Sequence, residues 1–558
     1  MGKTVVDKNV YVPMRDGVKI SVDIYRPDKP GKYPALVAIG SYGKELEAMT
    51  EWMPPQPRTG SLWDGCIETG DSEYLNSRGY VHVVADSRGA GYSEGIYLFH
   101  ESDMKDVYDL IEWVAKQPWN DGNVGTIGIS MFGANSMIAA CQAPAPLKAA
   151  WIQEFATDPY RQIFYHGGIL SLFFYGLYFG LAGDSGLALT PATRQHDENV
   201  PDDIRRQLKE LAESNPDIKY YPNMYHLCQY PEKNPFFIPA LLNPYDGEHY
   251  QAWGPKGRWD NIKCPVYLVS NMESEIYTPA ALEAWEKIIH VPKKLMLTPR
   301  GFLERPFYQW HEEILRWYDY HFKGVDNGIM DEPPVKIFIS GTNEWRFENE
   351  WPLARTQWTK LYLRTYRRLL PEPDRLDDVP PDGFLSPPIM INSDITTLNY
   401  RTPPMLADTE MTGPLALYLY AKIDSDDTNW MLRLYDIAPW GEKTMLSRGY
   451  LKASHRALDK AESRPYRPYH PHTRESVKPV KPGEITEYAI EIIPIAHVFK
   501  TGHCLELEIR NTESIKDPLF NEIWPCGYHL PISKTVAHWI YQDAEHQSHL
   551  LVPMIPGE

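Results

Sequence analysis

Several kinds of segment are missing from this chain of 558 residues, and each absence removes a class of function. No apolar run reaches the about 18 residues that a membrane-spanning helix needs. The nearest approach, GGILSLFFYGLYFGLAG, is short and broken by glycine. The start, MGKTVVDKNVYVPMRDG, lacks the apolar stretch of a secretory signal. Six cysteines (Cys66, Cys141, Cys228, Cys264, Cys504 and Cys526) are scattered, with neither a CxxC pair nor metal-ligand spacing, and read as reduced thiols. Positive charge is scarce: 56 Lys and Arg stand against 74 Asp and Glu, a formal balance of −18 spread along the chain. Nucleic acid and membrane surfaces, which need basic patches, are not expected partners. Internal repeats and low-complexity tracts are absent too. The expectation is a soluble cytoplasmic protein without cofactor or metal; a homo-oligomer is compatible with the sequence.

What the chain has in quantity is length, beyond one hydrophobic core, and aromatic residues, 13% of the total with 36 Tyr and 17 Trp. Four apolar runs read as buried parallel strands: YPALVAIG (33–40), GYVHVVAD (79–86), VGTIGIS (124–130) and CPVYLVSN (264–271). A fifth, KKLMLTP (293–299), follows the helical stretch LEAWEKIIH. Between the second and third, MKDVYDLIEWVAKQ sets Val107, Leu110, Ile111 and Val114 at helical spacing. Alternating strand and helix predict a doubly wound α/β domain over residues 1–149 and 256–330. The proline-punctuated, aromatic-rich insertion 150–255 reads as a helical cap over its site. From 331 to 558, short β-rich runs such as VKIFISG, TKLYLRT, PLALYLYAKI and HCLELEIRN predict an all-β sandwich.

The chemistry centres on GTIGISMFG (125–133). A serine between small residues, after a strand and before a helix, fits a nucleophile elbow, with Ser130 exposed at the turn and the Met131 N–H beside it. The first strand ends in GSYGK (40–44), where the Tyr42 hydroxyl is placed to donate to an oxyanion. The loop DSRGAGYSEG (86–95) has no GK[ST] and the wrong glycine spacing for a phosphate cradle; it reads as a structural turn shaping the site.

These pieces, with MRDGVKISVDIYRP, DPYRQIFYHGG, LRWYDYHFKG, SGTNEWRFENEWP and YDIAPWGEKTMLSRGYLKASHR, resemble in order and spacing the cocaine esterase and X-Pro dipeptidyl-peptidase (CocE/NonD) family of serine hydrolases. The resemblance runs over nearly the whole chain. It implies an α/β-hydrolase domain, a helical cap and a C-terminal jelly-roll, with hydrolysis of a small-molecule ester or amide through an acyl-enzyme. Ser130 falls at the nucleophile position and Tyr42 at that of the oxyanion tyrosine, while Met131 replaces the usual tyrosine after the serine.

The remaining triad positions depart from the pattern. Where the family carries its aspartate, the chain reads SNMESEIYTPAAL, so Glu275 or Glu273 is the candidate acid. Where the family carries its histidine, the chain reads TPRGF, which puts Phe302 at the position of the base. A phenyl ring cannot accept a proton, so His311 and His166 are the alternative bases. Three readings follow: an acyl hydrolase with a non-standard base; the same pocket acting as a lyase, cyclase or isomerase without an acyl-enzyme; or a non-catalytic binding protein. The cap aromatics Tyr165, Phe173, Phe174, Tyr175, Tyr178 and Phe179 suit an apolar or aromatic acyl group, though core packing explains them at least as well.

Overall fold

The computed structural model describes residues 4–45, 68–97, 100–173, 200–233, 237–252, 254–272, 274–299, 310–388, 395–513 and 528–557. Its strands begin with β1 (Thr4–Pro13), β2 (Lys19–Pro27), β3 (Tyr33–Gly40), β4 (Val81–Asp86), β5 (Asn120–Thr126) and β6 (Leu147–Gln153). A small hairpin of β7 (Tyr165–His166) and β8 (Ile169–Leu170) comes next, then β9 (Val266–Asn271), β10 (Lys293–Thr298), β11 (Val335–Ile339) and β12 (Glu344–Glu348). Apart from the hairpin, these form one ten-stranded sheet in the order β1-β2-β4-β3-β5-β6-β9-β10-β11-β12. The run from β4 to β11 is parallel, and β1, β2 and β12 add antiparallel edges.

Each of the five expected strands lies in this sheet. Their near-continuous apolar runs reflect burial on both faces, as parallel strands require. Side chains alternate between two cores: Leu36, Trp151, Tyr267 and Met296 point to one, and Val37, Ile152, Leu268 and Leu297 to the other. Strand β6 was not anticipated from the sequence, where its residues straddle the start of the expected cap. Its segment, LKAAWIQ, follows a helix directly and is too alanine-rich to read as a strand, yet the sheet buries it between β5 and β9. Likewise VKIFI, grouped in the sequence with the β-rich region, pairs parallel to β10 and extends the first sheet.

Helices α1 (Ser72–Ser77), α2 (His100–Ala115) and α3 (Met131–Gln142) precede the cap. Val107, Leu110, Ile111 and Val114 of α2 are fully buried, in line with their helical spacing. The cap begins with a π-helical turn over Pro159–Phe164 and includes α4 (Asp202–Ser214) and α5 (Pro222–Gln229). Leu208, Ala212, Met224 and Leu227 carry its apolar face into the core on one side of the sheet. Helices α6 (Tyr277–Lys287) and α7 (His311–Lys323) follow β9 and β10. Among the described residues, no helix is long and apolar enough to cross a membrane.

The C-terminal region is all β. Its strands are β13 (Gln357–Arg364), β14 (Arg368–Leu370), β15 (Asp382–Ser386), β16 (Leu398–Arg401), β17 (Thr409–Ile423) and β18 (Asn429–Ile437). They continue with β19 (Lys443–Lys452), β20 (Thr486–Phe499), β21 (Cys504–Arg510), β22 (Val536–Ile540) and β23 (His549–Met554). Pairing of β17 with β23 closes nine of them into a ring, around a core that includes Leu417, Leu419, Leu432, Ile490, Ile492 and Leu507. The ring joins the first sheet through backbone hydrogen bonds between Ser340 and both Ala496 and Val498.

Candidate active site

The turn from β5 into α3 is a tightly constrained stretch of backbone. Ser130 caps α3 at φ 58° and ψ −117°, a conformation that L-residues avoid and that a fold holds only under strong local constraint. The constraint comes from two sides. A Cβ on Gly128 (φ 155°) would lie 2.2 Å from Cβ of Phe132, and one on Gly133 would lie 1.9 Å from the Gln153 carbonyl oxygen. That carbonyl accepts the Ser130 N–H at 3.0 Å, and the Ser130 carbonyl accepts from Ala134 N at 2.8 Å. Asn135 of α3 donates to the Ile39 carbonyl at 2.9 Å, tying the helix to β3. Both glycines thus let the turn close against its neighbours, which explains their spacing around the serine. Gly133→Ala should push α3 off β6, at a cost of about 1–3 kcal/mol. The expected result is a melting midpoint several degrees lower, with loss of any Ser130-dependent activity.

The Ser130 hydroxyl lies 3.1 Å from the hydroxyl of Tyr277, a residue not singled out in the sequence. Tyr277 opens α6, where the Ser274 hydroxyl accepts from the N–H groups of Ile276 and Tyr277 at 3.2 and 3.1 Å and so fixes the start of the helix. Met131 is the first helical residue, so its N–H has no intrahelical acceptor. Tyr42 stands in the same apolar wall, its ring edge-on to Phe132 at 6.3 Å. The loop bearing it is anchored by Lys44, which is buried beside Asp23 (3.4 Å) and Asp86 (3.8 Å) and donates to Asn9 at 2.6 Å. Asp86 in turn accepts the Lys44 and Tyr92 N–H groups, so DSRGAGYSEG folds around a buried carboxylate. Burial raises that carboxyl to about 6 against the pull of Lys44.

The other sequence candidates lie in different surroundings. His311 starts α7, buried and stacked on Tyr74 at 4.8 Å, and its Nε2 accepts the Asp71 N–H at 3.1 Å. Burial lowers its pKa to about 4 although Asp71 pulls the other way, so the ring is neutral with its proton on Nδ1. His166 contacts Gln162 O through Nε2 (3.0 Å) and His529 Nε2 through Nδ1 (2.8 Å), and His529 in turn meets Glu513 at 2.9 Å. Burial first, then His529, holds His166 down at about 4. Glu275 is buried against Arg448 at 2.5 Å. Its burial is outweighed by Arg448, His166 and Tyr528, which leave the carboxyl below its ordinary range. The structure sets Tyr42 against the ring of Phe132, two residues along from Ser130. It gives Glu275 and His166 to a separate charged network with the C-terminal domain, and His311 to the start of α1.

Glu273, Phe302, Phe174, Tyr175, Tyr178 and Phe179 lie outside the described residues. Of the remaining cap aromatics, Tyr165 donates to the Ala240 carbonyl at 2.8 Å and Phe173 packs on Tyr528. Cys141, Cys228, Cys264 and Cys504 are free thiols; burial pushes Cys141 and Cys264 up to about 12, where they are unreactive.

A strained serine turn at the C-terminal end of a central parallel strand, with a helical insertion above and an all-β domain behind, defines a protein of the α/β-hydrolase class. Comparison with known proteins narrows this. Residues 16–301 match the X-Pro dipeptidyl-peptidase family (S15), and residues 327–551 match the X-Pro dipeptidyl-peptidase C-terminal non-catalytic domain. The chain belongs to that family. It is 26% identical to the cocaine esterase of Rhodococcus sp. (strain MB1 Bresler), over 99% of each chain. Among solved structures, a CocE/NonD family hydrolase from Staphylococcus aureus has the same fold, with a TM-score of 0.79 at 22% identity over 99% of this chain and 94% of its own. An aminopeptidase from a marine sediment archaeon, Thaumarchaeota archaeon, gives 0.74 at 16% identity over 100% and 97%.

Proposed function

We propose that this protein hydrolyses an ester or amide bond of a small molecule through an acyl-enzyme on Ser130. The observation that carries this reading is the backbone of Ser130, held at φ 58° between two glycines that admit no side chain. Strain of that kind is kept where a fold must present one hydroxyl at the mouth of a sheet. In the first half-reaction Oγ bonds to the substrate carbonyl carbon and gives up its proton, and the leaving alcohol or amine departs with a proton. In the second, water adds to the acyl carbon and the carboxylic acid leaves, restoring the serine. Negative charge on the carbonyl oxygen is met by the Met131 N–H and the Tyr42 hydroxyl.

The base is the non-standard element. With phenylalanine at position 302, the Tyr277 hydroxyl stands next to Oγ, orienting the serine and relaying its proton to the leaving alcohol or amine. The family relatives include an esterase and peptidases, which supports an acyl bond as the target and leaves ester and amide both within the class. Mixing the protein with 4-nitrophenyl acetate should give a burst of nitrophenol and an acetyl group on the peptide carrying Ser130. Turnover without that adduct, or with the acetyl group on another side chain, would overturn the proposal.

A further inference from the structure

A cavity of about 390 Å³ lies between α6, the π-helical turn of the cap and the C-terminal domain. Its volume falls in the range of about 300–1,000 Å³ typical of small-molecule sites. Helix α6 lines it with Pro279, Leu282, Glu283 and Glu286, whereas Tyr277, which meets Ser130, is not part of its wall. The cavity is therefore separate from the serine.

Its walls carry five cationic side chains, and each has a carboxylate partner. Arg448 pairs with Glu275 at 2.5 Å, Arg467 with Glu286 at 2.6 Å and Lys287 with Glu462 at 3.5 Å. Arg161 and Lys256 share Asp158 at 2.9 and 2.6 Å, and Arg161 also reaches Asp246 at 2.5 Å. The histidines of the wall add no charge, because burial holds His166, His470 and His472 below their ordinary pKa. Two further carboxylates have no ion pair closer than 3.9 Å among the described residues. Among the described residues, Glu283 meets a Thr157 hydroxyl at 3.3 Å and Lys256 at 3.9 Å. Glu491 has no hydrogen-bond or ion-pair partner among the described residues.

Glu491 projects from the outward face of β20, since Ile490 and Ile492 on either side point into the core of the ring. It is accessible, but what it faces is this cavity. The groups around it are Glu283 of α6, Arg467 of the 462–472 loop, Arg161 of the π-helical turn and Lys256. An aromatic side is supplied by Tyr469, over which Arg161 and Lys256 sit at 4.7 and 5.1 Å, and by Tyr466, stacked on Trp358 at 4.4 Å.

We propose that this cavity is a binding site for a small organic cation, a primary ammonium on an apolar or aromatic body, whose charge is taken by Glu491 and Glu283. The weakly solvating walls of the cavity raise the Glu491 carboxyl to about 7, with Arg467 opposing and Glu283 adding to the rise, so near neutrality the surplus charge is partly cancelled by a proton. A bound ammonium replaces that proton, and binding should release it.

The test is calorimetric titration of the full chain with benzylamine, and with benzyl alcohol as the neutral match, at pH 7 in phosphate and in MOPS. Binding of benzylamine, no detectable binding of the alcohol, and a heat that differs between the buffers because protons are released are expected. In unmodified protein, affinity should fall at least about tenfold on going from pH 7.5 to pH 5.5, as Glu491 keeps its proton. Glu491→Gln should weaken binding by about tenfold or more, while hydrolysis of 4-nitrophenyl acetate stays as in the parent. Glu491→Lys, which supplies the cation from the chain itself, should abolish binding. Equal binding of the alcohol, unchanged affinity at the lower pH, or full affinity in both variants would overturn the proposal. So would competition by benzylamine against the acetate ester with affinity indifferent to Glu491, which would place the amine at Ser130.

Discussion

Replacing Ser130 by alanine is expected to lower kcat for an activated ester by about four powers of ten or more, to the level left by binding and oxyanion contacts alone. The loss is large because the nucleophile, its activation and the acyl intermediate vanish together. Tyr277→Phe separates these. It removes one hydroxyl and keeps the ring that packs at the start of α6. If the hydroxyl only steadied Oγ, losing one hydrogen bond worth about 1 kcal/mol would cost roughly fivefold. If Tyr277 relays the serine proton, the contribution is commonly worth about 10² to 10⁴. The expected result is therefore a fall in kcat of about a hundredfold or more, with KM little changed, and a kcat–pH profile that differs in shape from the parent. Steady-state kinetics of the two variants and their double mutant measure this. Because both residues act on the same proton, the double mutant should be no worse than Ser130→Ala alone. A Tyr277→Phe enzyme within about fivefold of the parent and with the same pH profile would return Tyr277 to a packing role.

How far the sequence reaches depends on the range of the interaction. The five apolar strands, the helix over Val107 to Val114 and the serine turn are set by neighbours in the chain, and each is readable from spacing alone. Gly128 and Gly133 are legible as a pattern; the Phe132 and Gln153 contacts that require them are not. Strand β6 is missed because alanines in LKAAWIQ carry little periodic signal, and only the flanking strands decide its burial. Tyr277 is hidden for a different reason: 147 residues separate it from Ser130. A tyrosine among TPAAL helix formers reads as packing until the fold closes. The same holds for Glu275. Its loop position after a late strand suits an acid, yet its carboxylate is met by Arg448, from a domain 173 residues further on. Lys44 carries no signal of its own within GSYGK, because its burial against Asp23 and Asp86 depends on β2 and β4 arriving beside β3.

Below about pH 6 the protein should lose stability steeply, and the buried histidines set the window. Six are held neutral chiefly by burial: His166, His311, His321 and His538 at about 4, and His82 and His455 at about 3. The ordinary value is 6.5, so in the unfolded chain each takes up a proton as pH falls through the sixes, whereas in the fold it does not. Unfolding then binds protons, and stability falls as pH falls from about 6.5 towards 4. A shift from 6.5 to about 4 corresponds to roughly 3 kcal/mol for one fully buried ring, so two such rings offset much of a typical domain's margin of about 5–15 kcal/mol. Four carboxyls oppose this. Asp86 at about 6, Glu491 at about 7, and Asp106 and Glu283, which burial raises in the same direction, are protonated more readily in the fold than out of it, and they gain stability over the same window. Against them stand nine histidines, because burial also lowers His470, His472 and His549, so the sign is unchanged. At lower pH, Asp158 and Glu513 act with the histidines: Arg161 and Lys256 for the first, His529 and Arg433 for the second, overcome burial and hold the carboxyls well below their usual range, so protonating them also favours unfolding. Thermal melts from pH 7.5 to 4.5 should show a midpoint that drops by tens of degrees, or a protein already unfolded at the acid end. His538→Gln tests the cause. His538 stacks on Phe384 and contacts the Thr428 hydroxyl through Nε2, a contact that a glutamine amide can approximate without taking a proton. The variant's midpoint should depend less steeply on pH, by about one proton's worth of slope between pH 6 and pH 4.5. A parent midpoint flat across that range would mean that the buried histidines are hydrated and titrate as they do in the unfolded chain.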